Sequence, residues 1–363
     1  MNETADPALP LSHGGEQLSL LTVDAYNAEL RSGEGFVGDR ASKRAFVAIL
    51  EDWRERMRQA GEDPFGETPS DELSKKQLDK VLTEGDAEAA GVIHGAIEEF
   101  SQEFATVIRR FLRLKNWKDT ERLVVGGGLR QSRIGELAIG RTAVILKSGG
   151  FDVKLKPIHH PPDHAGLLGS IYLVPSWMLS GHDAILAVDI GGSNIRVGLV
   201  ELRAGKKADF SEAEVSRFEL WRHSDEDPKR DDAVERLTDM LLDLVKRASK
   251  DDIKLAPFIG IGCPGVIRTD GSIERGGQNL PGNWESKTFN LPQIIRAAIP
   301  RIGDHDTVVI MHNDAVVQGL SEVPFMQDVK HWGVLTIGTG LGNARFTNRE
   351  GGRQKSKDTR KHG

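Results

Sequence analysis

One cysteine, Cys263, is all the thiol this chain of 363 residues carries. That scarcity excludes an internal disulfide and any multi-cysteine zinc or iron–sulfur centre. An excess of positive charge is also missing. The net charge is −6 at pH 7, so no global field draws the chain to nucleic acid or to an anionic membrane surface. Nor is there a long apolar run: the longest, Ala165 to Leu179, is fifteen residues interrupted by Ser170, Pro175 and Ser176, too short to span a bilayer. The start, Met1-Asn2-Glu3-Thr4-Ala5-Asp6, is acidic and polar, unlike a secretory signal. These absences predict a cytoplasmic protein with neither nucleic acid nor membrane as partner. What is present is ample apolar content, 38% of residues against 28% charged, enough to fold rather than stay disordered. At this length two lobes are expected rather than one core.

Residues 1–40 are rich in loop formers, with a strand predicted at Leu18–Tyr26. From Ala41 to Met57 the positions Ala45, Phe46, Ile49, Leu50, Trp53 and Met57 recur at helical spacing, and a break at Gly61–Pro69 follows. Between Asp86 and Leu114, one stripe of a long helix is formed by Ala90, Ile93, Ile97, Phe100, Phe104, Ile108 and Phe111. Strands are predicted at Arg122–Val125, Val153–Ile158, Ala184–Val188, Ile195–Glu201, Phe258–Gly262, Thr307–Met311 and Trp332–Ile337. Helices are predicted up to Lys147, at Ala165–Leu173, at Asp232–Ser249 and from Ala315. Such alternation marks an α/β protein. The last stretch, Gly351–Gly363, holds six basic residues in thirteen and no apolar side chain, so a disordered basic tail is expected there.

Three of the strands end in glycine clusters: Asp189-Ile190-Gly191-Gly192-Ser193-Asn194, Gly338-Thr339-Gly340-Leu341-Gly342 and Gly126-Gly127-Gly128. Glycine after a strand admits positive φ and lets successive N–H groups converge on an anion without interference from Cβ. One such turn is ordinary. Three, two of them carrying a hydroxyl at Ser193 or Thr339, point to a nucleotide gripped between hairpins. No GxxxxGK[ST] occurs, so the grip is not a P-loop. A GxGxxG does occur at Gly260-Ile261-Gly262-Cys263-Pro264-Gly265, but Val266–Ile273 reads as a hairpin with an Asp270-Gly271 turn. A dinucleotide fold would open a helix there, so a Rossmann site is excluded.

The segment LAVDIGGSNIRVGLVE (186–201) resembles the first phosphate motif of the sugar-kinase branch of the actin-like ATPase superfamily. GIGCPGVIRTDGSIERGGQNLPGNW (260–284) resembles the substrate loop of the ROK family, the bacterial glucokinases and their relatives. VVIMHNDAVVQGLSE (308–322) is similar to that family's catalytic Asn-Asp segment, and LTIGTGLG (335–342) to its second phosphate motif. In the family a further stretch, roughly half the protein, follows that second motif. Here its counterparts stand at the front. RLVVGGGL (122–129) looks like the adenosine motif and PIHHPPDHAGLLGSIYL (157–173) like the terminal loop and helix. GFVGDRASKRAF (35–46) resembles the segment after the zinc site, and SHGGEQLSLLTV (12–23) the Gly-Glu-x-Gly-His stretch before it.

The resemblance, over about residues 12–345, implies a two-lobed actin-like ATPase (ribonuclease H-like) α/β fold that is circularly permuted. Residues 12–164 and 313–350 would form the large lobe, 165–312 the small lobe and 351–363 the tail. The family's zinc site needs a His and three Cys, so no structural zinc is expected. Ser19 stands where the family has the His of Glu-x-Gly-His, and Asp39 where it has a second Glu.

For chemistry, the resemblance implies an ATP- and Mg²⁺-dependent kinase acting on a hexose, most simply a glucokinase. Asp314 would be the general base for the sugar hydroxyl; without the surrounding motifs, Asn313-Asp314 would read as the cap of the helix from Ala315. Asp189 would hold Mg²⁺ through water. Gly191, Gly192, Ser193 and Asn194 would face the β- and γ-phosphates from one lobe, and Gly338, Thr339 and Gly340 from the other. Gly126, Gly127 and Gly128 would lie against adenosine. Asn279, Asn313, Asp314, Glu16 and Asp39 are the candidate sugar contacts. A small-molecule sugar is the expected partner, and a homodimer is compatible with the family. Two other readings share the motifs: a non-catalytic sugar or nucleotide sensor, and a kinase using another phosphoryl donor such as polyphosphate. His159, His160 and His164 with Asp163 lack metal-ligand spacing on a regular element, Cys263 reads as a packed residue, and Trp284 as pocket wall or core.

Overall fold

The computed structural model describes residues 11–33 and 35–349; the expected tail at 351–363 lies outside them. The chain opens with β1 (Leu21–Tyr26), then α1 (Lys43–Ala60), α2 (Lys75–Glu84) and α3 (Ala87–Leu112). Each of these helices begins at a side-chain cap, Ser42, Ser74 and Asp86 respectively, and Ser74 with Gln77 completes a capping box. Of the predicted stripe of α3, Ile93, Ile97, Phe100, Phe104, Ile108 and Phe111 face the core and Ala90 is half-buried. Next come β2 (Arg122–Gly127), α4 (Arg133–Ser148), β3 (Lys154–Pro157) and α5 (Pro162–Gly169). The apolar stretch from Ala165 therefore divides, its second half being a 3-10 turn at Ser170–Leu173.

The middle of the chain supplies β4 (Ala184–Ile190), β5 (Ile195–Glu201), β6 (Glu214–Trp221), α6 (Arg230–Lys250) and β7 (Leu255–Cys263). A small hairpin pairs Val266–Ile267 with Ile273–Arg275, as expected from the Asp-Gly turn, so no helix opens after the GxGxxG. The chain then forms α7 (Leu291–Ala298), β8 (Val308–Asn313), α8 (Asp314–Leu320), β9 (His331–Ile337) and β10 (Leu341–Asn348).

Two five-stranded sheets result, in the orders β6-β5-β4-β7-β8 and β1-β10-β9-β2-β3. They repeat one another. In the first, β4 and β5 and then β5 and β6 are antiparallel, while β4, β7 and β8 run parallel. In the second, β9 and β10 and then β10 and β1 are antiparallel, while β9, β2 and β3 run parallel. The two-lobed actin-like α/β arrangement expected from the sequence is thus present, with one difference in connectivity between the halves. The third strand of the second sheet, β1, comes from the front of the chain rather than from the residues after β10. Its start lies beside the end of β10, where the Arg349 N–H donates to the Leu20 carbonyl at 3.1 Å.

Helices α5 and α8 lie between the sheets. Leu167 and Leu168 of α5 and Val316, Val317 and Leu320 of α8 share one core with Ile185 and Ala187 of the first sheet and Val124 and Val334 of the second. Close packing of this layer requires glycine at position 166, where a Cβ would come within 2.5 Å of the Asp189 carboxyl carbon. Both sheets therefore direct the carboxyl ends of their parallel strands at a common cleft, the place where open α/β sheets bind ligands. Among the described residues no helix is long and apolar enough to cross a membrane.

Candidate functional site

A cavity of about 870 Å³ occupies that cleft. It is lined by Asp189, Gly191, Gly192, Ser193 and Asn194 from the turn after β4, and by Gly338, Thr339 and Gly340 from the turn after β9. Gly127 at the end of β2 and Gly128 after it, Asn279 of the 276–284 loop, Asp314 and Asp39 complete the predicted set that it brings together. Three predicted residues fall elsewhere. Gly126 is buried inside β2, its Cα side turned toward Thr336. Glu16 is exposed and does not line the cavity. Asn313 is buried: its amide donates to the Gly265 carbonyl at 3.0 Å, while its carbonyl oxygen accepts the N–H groups of Ala315 and Val316. Its place is to cap α8 and pin the turn after β7 beside Asp314, one residue away from the cavity wall.

The glycines at the rim are needed for close approach. Gly127 has φ +89°, and a Cβ there would sit 2.1 Å from the Ile337 carbonyl oxygen of the neighbouring strand. Gly192 abuts Asn279, whose Cβ would be 3.1 Å from a Cβ at 192, so the phosphate-type turn and the substrate-type loop are in direct contact.

Asp314 begins α8 at the end of β8, and one of its oxygens accepts its neighbour Ala315's N–H at 2.9 Å. Burial raises its pKa to about 7, with the charge of Asp189 adding to the rise. A carboxylate poised near neutrality is suited to accept a proton. Asp189 is buried at the end of β4; burial raises its pKa as well, and Arg196 works against that rise. Arg196 faces it across the β4–β5 ladder and divides its guanidinium between Asp189, at 3.3 Å, and Asp163 at the start of α5, at 2.8 Å. The second oxygen of Asp189 is buried without a hydrogen-bond partner. A lone carboxylate with an oxygen left over fits Mg²⁺, which keeps most of its water and takes its remaining ligands from phosphates. Among the described residues no three His, Cys, Asp or Glu side chains gather as a metal site.

Several cavity residues carry no sequence signature of their own: Arg196, Asp163, Gln318, Lys43 and Lys75. Gln318 follows Asp314 by four residues and so shares its helix face, a spacing readable once the helix start was placed. The other singled-out residues are structural. His159 donates its backbone N–H to buried Glu322, places its ring nitrogen 2.7 Å from the same carboxylate, and stacks on Phe325 at 3.9 Å. His164 packs edge-on against Phe218. Cys263 is buried, and burial pushes its thiol pKa upward, which leaves it unreactive. Trp284 is core rather than pocket wall, its indole N–H donating to the Pro281 carbonyl at 2.7 Å.

No protein-family model matches the chain. Over 165 residues the chain is 30% identical to the glucokinase of Thermotoga maritima, a stretch that is 45% of this chain and 44% of that protein. The match thus spans less than half the length of this curated relative. Among solved structures, a Listeria monocytogenes protein provisionally assigned as an N-acetylmannosamine kinase is 26% identical over 48% of this chain and 51% of its own, with a TM-score of 0.32. A Cytophaga hutchinsonii protein provisionally assigned as a sugar kinase is 20% identical over 46% of this chain and 48% of its own, with a TM-score of 0.28.

Proposed function

We propose that this protein is a glucokinase-like sugar kinase of the ROK type, transferring the γ-phosphoryl group of ATP to a hexose hydroxyl. The observation that carries the reading is the position of Asp314. It is a carboxylate with a pKa of about 7 on the wall of a cavity whose other walls are two glycine-rich hairpins. Asp314 takes the proton of the attacking hydroxyl. The turns at 191–194 and 338–340 cradle the transferring phosphates with backbone N–H groups and with the Ser193 and Thr339 hydroxyls. Gly127 and Gly128 leave room for the adenosine, and Asn279 and Asp39 contact the sugar. Mg²⁺, held by Asp189 through water, would neutralise charge on the phosphates. Enclosing the reactants between two lobes excludes water and holds the hydroxyl in line with the γ-phosphate. ATP as donor places the reaction in the cytoplasm.

The same reading makes the chain a circular permutant, with residues 12–164 and 313–350 as the large lobe and 165–312 as the small lobe. Two observations support it: β1 completes a ladder begun by β9 and β10, and a collinear match to the Thermotoga glucokinase extends over less than half of either chain. The sugar is the freest element. With Ser19 in place of a His and Glu16 exposed outside the cavity, fewer groups are on hand for hydroxyls near the anomeric carbon, which favours a hexose other than plain glucose. ADP release with Mg-ATP, measured across hexoses, amino sugars and N-acetyl sugars, tests the proposal. One sugar should stimulate turnover well above the rest; nucleotide binding with no sugar-dependent turnover would instead favour a sensor.

A further inference from the structure

Helix α2 stands outside both sheets, yet two of its side chains, one turn apart, fix it to the cavity rim. Asp79 caps the start of α4: its carboxylate accepts the backbone N–H groups of Arg133 at 2.9 Å and Ile134 at 3.0 Å. The free donors at that helix start, which would otherwise draw an anion, are therefore taken by the protein's own carboxylate. Four residues earlier, on the same face, Lys75 reaches the third glycine turn, where its ammonium donates to the Gly128 carbonyl at 2.5 Å. Lys75 lines the cavity beside Gly127, Gly128, Lys43 and Asp163.

Helix stability does not account for a lysine there. Lys75 is the first residue of α2, where the helix dipole opposes a cation. Partial burial and the like charge of Lys43 lower its pKa, with Asp163 and Asp79 only partly offsetting them. The ammonium has three N–H donors and spends one on Gly128. Two remain at the edge of a cavity whose glycine turns supply dipoles but no net positive charge.

We propose that Lys75 is an anchor for the phosphate chain of the nucleotide, holding the donor by charge on the side away from the sugar. This inference rests on the nucleotide-kinase reading above. The Asp79 contact to α4 fixes where Lys75 stands, and the Gly128 carbonyl aims its ammonium along the third glycine turn. The ligand class it selects is a nucleoside di- or triphosphate over the bare nucleoside.

Calorimetric titration of ATP, ADP and adenosine into the wild-type protein, Lys75→Met and Lys75→Arg tests it, with circular dichroism confirming equal folding. Loss of a charge-assisted hydrogen bond predicts about tenfold weaker ATP and ADP binding in Lys75→Met, unchanged adenosine binding, and near-normal binding of all three in Lys75→Arg. Equal weakening of adenosine would show that the lysine merely props the wall and would overturn the proposal. So would undiminished ATP binding in Lys75→Met beside a wild type that binds ATP, and that result would leave the kinase reading standing. A wild type that binds no nucleotide would sink both.

Discussion

The hydroxyls of Ser193 and Thr339 stand 3.3 Å apart, although one belongs to the turn after β4 in the first sheet and the other to the turn after β9 in the second. The tips of two equivalent hairpins thus meet across the cleft, and a phosphate chain bound beside this pair, as proposed, would be held from both lobes at once. Removing either hydroxyl loses one hydrogen bond to that chain while leaving the backbone cradle intact. Ser193→Ala and Thr339→Ala are each expected to lower kcat/KM for ATP by about tenfold, with the sugar KM little changed. The double variant should lose less than the product of the two, since the hydroxyls serve the same phosphates. Steady-state kinetics with ATP as the varied substrate checks this.

The pKa of Asp314, raised to about 7 by burial and by Asp189, has two consequences of opposite sign. Only the ionised form accepts a proton, so kcat/KM should climb roughly tenfold between pH 6 and pH 8 and then level off. Stability runs the other way. A carboxyl that holds its proton more tightly folded than unfolded stabilises the fold fully below the unfolded pKa, and that contribution is lost as pH rises through about 7. Asp314→Asn should therefore reduce kcat by about two to four orders of magnitude and still melt at a higher temperature than the wild type at pH 8. Its margin should shrink at pH 5. A variant destabilised at pH 8 would contradict the assigned burial of the charge.

Arg196 is the counter-ion that makes the buried Asp189 tolerable, and it ties β5 to the start of α5 through Asp163. Arg196→Met leaves Asp189 unpaired in the core and should cost about 3–5 kcal/mol of stability. Arg196→Lys restores the charge but not the forked reach to two carboxylates, so rescue should be partial. Chemical denaturation of the three proteins measures both effects.

The proposed circular permutation makes a prediction about topology. The Arg349–Leu20 hydrogen bond places the end of β10 at the entrance to β1. A chain that starts at Asp183, passes from Arg349 through a flexible linker to Leu11, so that the His13 and Gly14 contacts to Met311 are kept, and ends at Ser180 should fold to the same two sheets and keep its activity. Loss of structure by circular dichroism would show that the observed connection through Gly181 is itself required.

Much of this fold was legible because the buried segments carry unambiguous patterns. Ala184–Val188 reads as an uninterrupted apolar strand and is buried at every residue, and the α3 stripe reads as a helix. Not every missed element lacks burial: β10 and α7 are largely or partly buried, but β10 mixes Asn343, Arg345 and Asn348 with its apolar residues and α7 is only eight residues long. Helix α2 is short and its stripe is only Leu78, Val81 and Leu82, of which Leu78 alone is fully buried, while β6 is an edge strand mostly open to solvent without a clean apolar alternation. At the site, the glycine turns and the two aspartates were readable since their chemistry is local. Lys75 and Asp163 were not, because each reaches the cavity from an element whose placement depends on tertiary contacts, and Arg196, although opposite Asp189 in a local hairpin, meets its second carboxylate only where α5 packs. Glu16 and Asn313 illustrate the converse: a matching motif placed them at the site, whereas packing leaves one in solvent and turns the other into a helix cap.

In the proposed mechanism Asp314 and the two hairpins form one centre for phosphoryl transfer to a sugar. Its most direct test follows the γ-phosphate of labelled ATP into the sugar identified by the panel, with wild type and Asp314→Asn compared at equal nucleotide occupancy. Label is expected in a sugar phosphate with the wild type and almost none with the variant, although both bind ATP. Equal transfer by the variant, or label released only as inorganic phosphate by the wild type, would contradict it.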